Sequence, residues 1–160
     1  MAPQQKPGRS RQDYHTPPAF LDAVRWRLGI DDFDIDLAAS AENAICARFY
    51  TEQDDALVQP WICGDGWNWL NPPFAHIEPW VQRAWYQSRI GAKTAVLVPA
   101  GVGANWWARW VHHKAYVLLL NGRLSFNNIG FYPKDCVLLL YEQTAKPCYD
   151  VWAWRSHDSH

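Results

Sequence analysis

Asn71, Pro72, Pro73 and Phe74 form the stretch of this 160-residue chain whose residue types point most directly to chemistry. They follow a short apolar run, residues 66–70, that is typical of a buried strand. Two successive prolines fix φ and remove two backbone N–H donors, so the turn is stiff and its carbonyls point outward. The Asn71 side-chain oxygen and the Pro72 carbonyl could then both accept hydrogen bonds from one exocyclic amino group.

The chemistry that this corner suits is methyl transfer to an amino nitrogen. Two accepted hydrogen bonds draw the nitrogen out of conjugation with its ring and leave its lone pair available for attack on an electrophilic methyl group. Phe74 would offer a flat face on which an extruded base can stack. The alternative is an ordinary loop with Phe74 in the core. The position between an apolar strand and an amphipathic helix favours the functional interpretation.

Length and composition predict one soluble domain. A chain of 160 residues, 49% hydrophobic, has room for one substantial core. No apolar run reaches the length of a membrane span, and the N-terminus lacks a hydrophobic signal core, so we expect a cytoplasmic protein without membrane contact. The cysteines lack the spacing of a zinc site, which predicts reduced thiols and no metal; they are Cys46, Cys63, Cys136 and Cys148.

Charge is unevenly distributed along a chain whose formal net charge is −1. Lys6, Arg9 and Arg11 precede the first acid, and residues 13–160 carry 12 basic and 16 acidic groups. We therefore predict a disordered basic arm over residues 1–12, a folded domain over 13–155 and a short tail over 156–160. The arm could touch nucleic-acid phosphates, although a solvated tail is the commoner explanation.

Periodicity predicts alternating helices and strands, and hence an α/β sheet covered on both faces. The predicted helices are 17–28, with Thr16 as N-cap, a short piece from Ser40 with Asn43, one around 77–85, and 104–113. The predicted strands are 33–37, 48–51, 66–70, 93–98, 116–120, 136–141 and the stretch 149–154. Arg123 to Phe126 and a turn at 127–130 lie between the predicted strands 116–120 and 136–141.

Three loops are expected to meet at one edge of this sheet, beyond the carboxyl ends of its strands, where ligands bind in such folds. They are residues 36–40, 54–57 and 71–74. The first could line an amino-acid moiety, and the carboxylates of the second could accept hydrogen bonds from ribose hydroxyls or purine donors. An acidic pocket also suits a sulfonium cation. For each aspartate taken alone, a solvated loop is the alternative.

Several short motifs, in this order, resemble the phage-type DNA adenine N6-methyltransferase (Dam) family over about residues 13–142. They are Thr16-Pro17, Asp36-Leu37-Ala38-Ala39-Ser40, Asn43-Ala44, Asp54-Asp55-Ala56-Leu57, Asn71-Pro72-Pro73-Phe74, Leu97-Val98-Pro99-Ala100 and Gly122-Arg123-Leu124-Ser125-Phe126. The resemblance implies a Rossmann-like class I methyltransferase fold with a mostly parallel sheet, S-adenosylmethionine as donor and adenine N6 in DNA as acceptor.

The resemblance also implies roles for individual residues. The catalytic residues would be Asn71, Pro72, Pro73 and Phe74, with Phe74 also stacking on the base. The cofactor pocket would be lined by Thr16, Pro17, Asp36 and Ala38, with Asp54 or Asp55. Arg123 and Phe126 would border the target base. As a phage-encoded enzyme the protein would act in the cytoplasm of its host, for example against restriction.

Two departures from larger methyltransferases bear on the function. Ala38-Ala39-Ser40 stands where a Gly-x-Gly loop is common, so the backbone cannot approach the cofactor through glycines. No insertion is large enough for a separate target-recognition domain, so sequence preference must come from loops, the N-terminal arm or a second subunit of a homodimer. The alternatives are cytosine N4 or a protein glutamine amide as acceptor, or an inactive nucleic-acid-binding module of the same fold.

Overall fold

The computed structural model describes residues 15–62, 64–126 and 130–159. The predicted arm over 1–12 and most of the turn at 127–130 lie outside these residues. Three α-helices are present in the described chain: α1 (Pro18–Leu28), α2 (Glu78–Ser88) and α3 (Asn105–Trp110). Seven strands are β1 (Trp67–Leu70), β2 (Lys93–Pro99), β3 (Tyr116–Leu120), β4 (Ser125–Phe126), β5 (Gly130–Phe131), β6 (Cys136–Tyr141) and β7 (Cys148–Trp152). Short 3-10 helices span Ala56–Val58 and Trp154–Ser159.

Five strands form one sheet in the order β1-β2-β6-β3-β7, and β4 pairs with β5 in a separate hairpin. The pairs β1–β2 and β3–β7 are parallel, whereas β6 runs antiparallel to both β2 and β3. The sheet is therefore mixed, and the prediction of a mostly parallel sheet is not confirmed. The physical reason lies between β3 and β6, where the β4–β5 hairpin stands in place of the crossover helix that a parallel return requires.

The sheet continues outward from β1 through extended backbone. Asp36 forms parallel bridges with Trp69 of β1 on one side and with Phe49 on the other. Leu37 N donates to Trp69 O, and Tyr50 N donates to Asp36 O, each at 2.9 Å. The predicted strands at 33–37 and 48–51 are thus reduced to single bridges, although their parallel direction brings their carboxyl ends to the edge where β1 ends.

Helices cover both faces of the sheet, as the alternating pattern predicts. On one face α1 buries Phe20, Leu21, Ala23 and Val24 against a cluster that includes Ala95 and Leu97 of β2. On the other face α2 and α3 bury Val81, Ala84 and Trp107 beside Val96 and Val98. Alternate residues of β2 point to opposite faces, so one apolar strand serves two cores.

The helix boundaries differ in detail from the predicted ones. Helix α1 starts at Pro18 with Pro17 at the N-cap, and no side chain caps it, so Thr16 is not the N-cap. Ser40 to Asn43 form a turn rather than a helix, because the Asn43 side chain accepts from Ser40 N at 2.7 Å. Helix α3 ends at Trp110, well before the predicted residue 113.

Candidate active site

The carboxyl ends of β1, β2, β3 and β7 meet at one edge of the sheet, together with the amino end of β6. Asn71, Pro72, Pro73 and Phe74 follow β1 directly at this edge. Both prolines are buried, whereas Asn71 and Phe74 are half-buried. The carbonyl of Pro73 accepts from His76 N at 3.1 Å, while no donor within the described chain bonds the Pro72 carbonyl. The corner is therefore rigid and lies at a cleft.

Thr16 holds the amide of Asn71. Asn71 Nδ2 donates to Thr16 Oγ1 at 3.1 Å, across 55 positions of sequence. An amide nitrogen can only donate and an amide oxygen can only accept. This hydrogen bond therefore fixes the orientation of the Asn71 amide, with Nδ2 toward Thr16. Both residues line the same depression, which also takes in Asp36 and Ala38. The Thr16 hydroxyl thus accepts a hydrogen bond from Asn71 in the site and does not cap helix α1.

Phe74 belongs to a group of three aromatic rings. Its ring centroid lies 5.6 Å from that of Tyr132 and 6.5 Å from that of Phe126, and both contacts are edge-on. Phe126 is fully buried and Tyr132 is 8% exposed. The structure therefore places Phe126 behind Phe74, without a ring surface open to a base, and leaves Phe74 as the partly open member of the trio.

Three adjoining depressions form one cleft beside this corner, which we call the acidic cleft. They share residues pairwise: Ala38 lines the first and second, Ala39 and Thr51 the first and third, and Asn43 the second and third. Its carboxylates are those of Asp36, Glu42, Glu52 and Asp55, and no Lys or Arg is among the described residues that line it. A cationic ligand is therefore electrostatically favoured here.

The expected cofactor residues divide into two groups. Thr16, Asp36, Ala38 and Asp55 line the acidic cleft. Pro17 and Asp54 do not: the Pro17 carbonyl accepts from Phe20 N and Leu21 N, and the Asp54 carboxylate accepts from Thr51 N at 2.8 Å and Thr51 Oγ1 at 3.1 Å. Both of these residues shape neighbouring backbone.

Sequence reasoning missed Glu52 and gave no role to His15. Glu52 lines two of the three depressions, and His15 also lines two. The signal that could have found Glu52 is its position directly after the predicted strand at 48–51, since carboxyl ends of strands are where ligands bind. Asn43, which the sequence places in a short helical piece and in a family motif, also lines the cleft.

Asp36 is the most strongly perturbed carboxyl group of the cleft. It is 3% exposed, and its oxygens accept from Ala38 N at 3.4 Å and Ile45 N at 3.1 Å. Burial raises the pKa of the Asp36 carboxyl from 3.8 to about 6, against the lowering effect of the two backbone hydrogen bonds. Asp36 thus holds the loop from Ala38 to Ile45 in shape and places a titratable group beside Asn71.

Asp55 combines a left-handed backbone with a position in the cleft. Its φ is 56° and its ψ is 81°, and its side chain accepts from Leu57 N at 3.2 Å at the start of the 3-10 helix Ala56–Val58. A non-glycine residue in this region is uncommon and is often found at functional sites, although Asp tolerates it better than most residues. Within the described chain, Asp55 is the member of the Asp54-Asp55 pair that faces the cleft.

The far side of the same edge is basic. Pro99 at the end of β2, with Ala100 and Gly101 after it, lines a second depression together with Arg123, Pro133, Lys134 and Asp135. We call this depression the basic groove. Arg123 Nε contacts Asp135 Oδ1 at 3.1 Å, and both side chains are well exposed. Arg123, predicted to border the target base, thus lines the basic groove and is not among the described residues that line the acidic cleft.

Two features are absent from the described residues. No group of three or more His, Cys, Asp or Glu side chains is gathered there as a metal ion would need. No helix in the described part of the chain is both long and apolar enough to cross a membrane.

Comparison with known proteins gives consistent similarities. A family model described as DNA N-6-adenine-methyltransferase (Dam) matches residues 4–137. The chain is 28% identical over 122 residues to a DNA N-6-adenine-methyltransferase of Escherichia phage T1, which covers 74% of this chain and 49% of that protein. It is 32% identical over 98 residues to a protein of the same description from Haemophilus phage HP1 (strain HP1c1), covering 60% of this chain and 56% of that protein. The chain spans about half the length of these curated relatives.

Proposed function

The chain belongs to the DNA N-6-adenine-methyltransferase (Dam) family, and from that premise we propose that it transfers a methyl group from S-adenosylmethionine to adenine N6 in DNA. The observation that carries the proposal is the Asn71-Pro72-Pro73-Phe74 corner, which lies at the carboxyl edge of the sheet and opens on the acidic cleft. Both matched relatives are named for this activity and come from phages. By analogy, the protein would work in the cytoplasm of a bacterial host.

The acidic cleft suits S-adenosylmethionine as the donor. When bound, this cofactor supplies a methyl group on a positively charged sulfonium, and its amino acid and ribose carry several hydrogen-bond donors. Thr16, Asp36 and Ala38 would line the end next to Asn71, while Asp55 and Glu52 would accept from the nucleoside end. Pro17 and Asp54 would contribute by holding the backbone that carries these residues.

The corner would position and polarise the amino group. Asn71 Oδ1 and the Pro72 carbonyl would accept the two N6 hydrogens, and Thr16, holding Asn71 Nδ2, would fix the amide in the orientation that this requires. Asn71 and Pro72 would thereby leave the N6 lone pair free to accept the methyl group that the cofactor would supply: the N–C bond would form as the C–S bond breaks, the electron pair would leave on sulfur, and N6 would lose a proton to water. No covalent bond to the protein is needed, so positioning is the main contribution.

Phe74 would stack on the target base after that base has left the helix or has been taken from a single strand. Its edge contacts with Phe126 and Tyr132 limit the motion of the ring, which keeps the stacking surface in place. Phe126 would therefore serve the base through Phe74, because it is fully buried.

A Rossmann-like fold is supported by the direction of the strands. Four of the five strands in the main sheet run the same way, β6 alone is reversed, and helices cover both faces. The parallel bridges of Asp36 extend this arrangement beyond β1. Assembly as a homodimer stays a prediction, which light scattering of the purified protein would test.

The decisive experiment is to incubate the purified protein with methyl-labelled S-adenosylmethionine and unmethylated DNA and to identify the modified nucleoside by mass spectrometry. N6-methyldeoxyadenosine is the expected product. N4-methyldeoxycytidine, or label in a protein glutamine, would contradict adenine as the acceptor. Absence of any product together with absence of cofactor binding would favour the inactive binding module.

Asn71→Ala is the matched variant for this assay. We expect it to reduce methyl transfer by at least about 100-fold, since the amino group loses one of its two acceptors in a water-poor site. Cofactor affinity, measured by calorimetry, should change little. An unchanged rate would remove Asn71 from the catalytic assignment.

A further inference from the structure

The edge of the sheet that carries the proposed active site is electrically divided. On one side of this edge lies the acidic cleft, lined within the described chain by carboxylates and by no Lys or Arg. On the other side lies the basic groove, whose charged residues are Arg123, Lys134 and Asp135. The formal net charge of −1 for the whole chain does not reveal this division.

The basic groove is built from segments that the fold fixes independently. Ala100 N donates to Asp135 O at 2.9 Å, which ties the end of β2 to the start of β6. Tyr132 N donates to Leu124 O at 2.9 Å, which ties the segment before β6 to the segment after β3. The groove is therefore a feature of the folded sheet edge.

A third cation strengthens the same side. Arg155 follows β7 at this edge, where its Nη2 donates to the Arg123 carbonyl at 2.7 Å and its guanidinium lies 4.7 Å from the Trp154 ring centroid. Arg155 is thus a third cation beside Arg123 and Lys134, and Asp135 is the carboxylate among the described residues that line the groove. The exposed Arg123–Asp135 pair uses Nε, and a guanidinium carries four further N–H donors on its two terminal nitrogens.

The groove is joined to the ring on which the base would stack through Tyr132. Phe74 contacts Tyr132 at 5.6 Å between ring centroids, and Tyr132 directly precedes Pro133 and Lys134 of the groove. A nucleotide whose base rests on Phe74 therefore has its neighbouring phosphates within reach of this wall. Phosphates dominate the affinity of proteins for DNA, and Arg and Lys are the side chains that bind them.

We propose that the basic groove, through Arg123 and Lys134 with Arg155 beside them, binds the phosphodiester backbone that flanks the target adenine. The inference rests on the proposed function, since it assumes that the base is held at Phe74. The division of charge then favours the binding of each substrate at its own site, because the cationic cofactor is attracted to the acidic cleft and the negatively charged DNA to the basic groove. Association with DNA would then not require a strongly positive net charge on the whole protein.

The test compares Arg123→Gln, Lys134→Gln and the double variant with the wild-type protein. Binding of a fluorescein-labelled duplex of mixed sequence is measured by anisotropy over a series of KCl concentrations. We expect the double variant to bind at least about tenfold more weakly and to lower the slope of log K against log salt by about 2, with each single variant giving about half of that change. Calorimetric affinity for S-adenosylmethionine should be unchanged.

Lys146→Gln is the control, because Lys146 is exposed and precedes β7 at the opposite edge of the sheet. It removes the same charge and should leave DNA binding as it is. Equal weakening of DNA binding by Lys146→Gln would contradict DNA binding by the basic groove. Wild-type affinity and salt slope in the double variant would contradict it as well. In either case adenine methylation by the wild-type protein would leave the proposed function standing. A wild-type protein that neither binds the duplex nor methylates it would overturn both.

Discussion

Asp36 is the residue at which local structure and the proposed ligand binding are most closely linked. Its carboxylate holds the backbone of Ala38 and Ile45 while lying beside Asn71 in the acidic cleft. Within the described chain no ion pair to Asp36 is recorded, so its charge is stabilised by two backbone N–H groups alone. A cation bound in the cleft would offset the free-energy cost of burying the Asp36 charge. Without a ligand, the folded protein bears that cost.

The raised pKa of Asp36 gives a prediction for stability against pH. A carboxyl whose folded pKa, about 6, exceeds its ordinary value of 3.8 favours folding while it is protonated, and this contribution is lost as pH rises from about 4 to about 6. Asp36→Asn cannot ionise, so its free energy of unfolding relative to wild type should rise over that interval by up to about 3 kcal/mol. Urea unfolding at a series of pH values measures the difference.

A constant difference between the two proteins across that pH range would contradict the assignment. S-adenosylmethionine provides a second comparison. If the cation compensates Asp36, saturating cofactor should lower its pKa and reduce the loss of wild-type stability between pH 4 and 6.

Phe74 supports a second prediction at this scale. Phe74→Ala removes the stacking face and should lower kcat/KM for DNA by about 1 to 3 kcal/mol, or roughly 5- to 150-fold. Phe74→Tyr keeps a flat ring and serves as the control, with activity near that of wild type. Cofactor affinity should be the same in all three proteins. Full activity of Phe74→Ala would show that the base does not rest there.

Among the structural elements, the connection after β3 does most to shape the basic side of the edge. Gly122 has a φ of 122°, and its carbonyl accepts from Trp154 Nε1 at 2.8 Å. A Cβ on Gly122 would lie 2.8 Å from Arg155 Nη1 and 3.0 Å from Trp154 Nε1. The turn therefore requires glycine both for its backbone angle and for the close approach of the C-terminal 3-10 helix.

Gly122→Ala should destabilise the protein by about 1 to 3 kcal/mol, because both the backbone and the contact with Trp154 are strained. Displacement of Arg155 should also weaken DNA binding. Gly103→Ala is the matched control, since a Cβ there meets nothing within 4 Å and the backbone angle is not in the positive range that disfavours side chains. Thermal unfolding of both variants measures the effect, and equal melting temperatures would refute the account of this turn.

At the scale of the whole molecule, the sheet joins two cores and one functional edge. Loops from β1, β2, β3 and β7 converge at that edge, while α1 lies on one face and α2 and α3 on the other. A ligand that bridges the loops of this edge should therefore stabilise the fold as a unit, provided that it binds only the folded chain.

We expect S-adenosylmethionine at 100 times its Kd to raise the free energy of unfolding by about 2.7 kcal/mol. The increase should be retained in Asn71→Ala, because that variant loses an acceptor for the amino group and keeps the cleft. It should be diminished in Glu52→Ala if Glu52 holds the nucleoside end. Thermal shift assays over a range of cofactor concentrations test this. A wild-type protein without any shift would contradict binding in the cleft.

The sequence by itself determined the elements whose patterns are local and strong. The helix face on α2 and the apolar runs of β2, β3 and β6 were predicted and are confirmed, because burial imposes its period directly on the residues. Membership of the family followed from short motifs in a fixed order and is also confirmed. The roles of the individual site residues remain predictions.

Only the tertiary structure decided which residues meet. The reversed direction of β6, the bond between Thr16 and Asn71, and the burial of Phe126 behind Phe74 depend on partners far apart in sequence. The position of Asp55, and not Asp54, in the lining of the acidic cleft depends on such partners too. So does the division of charge along the sheet edge. No local pattern encodes such contacts, since each is fixed by the packing of several elements at once. That packing brings short polar loops into one site.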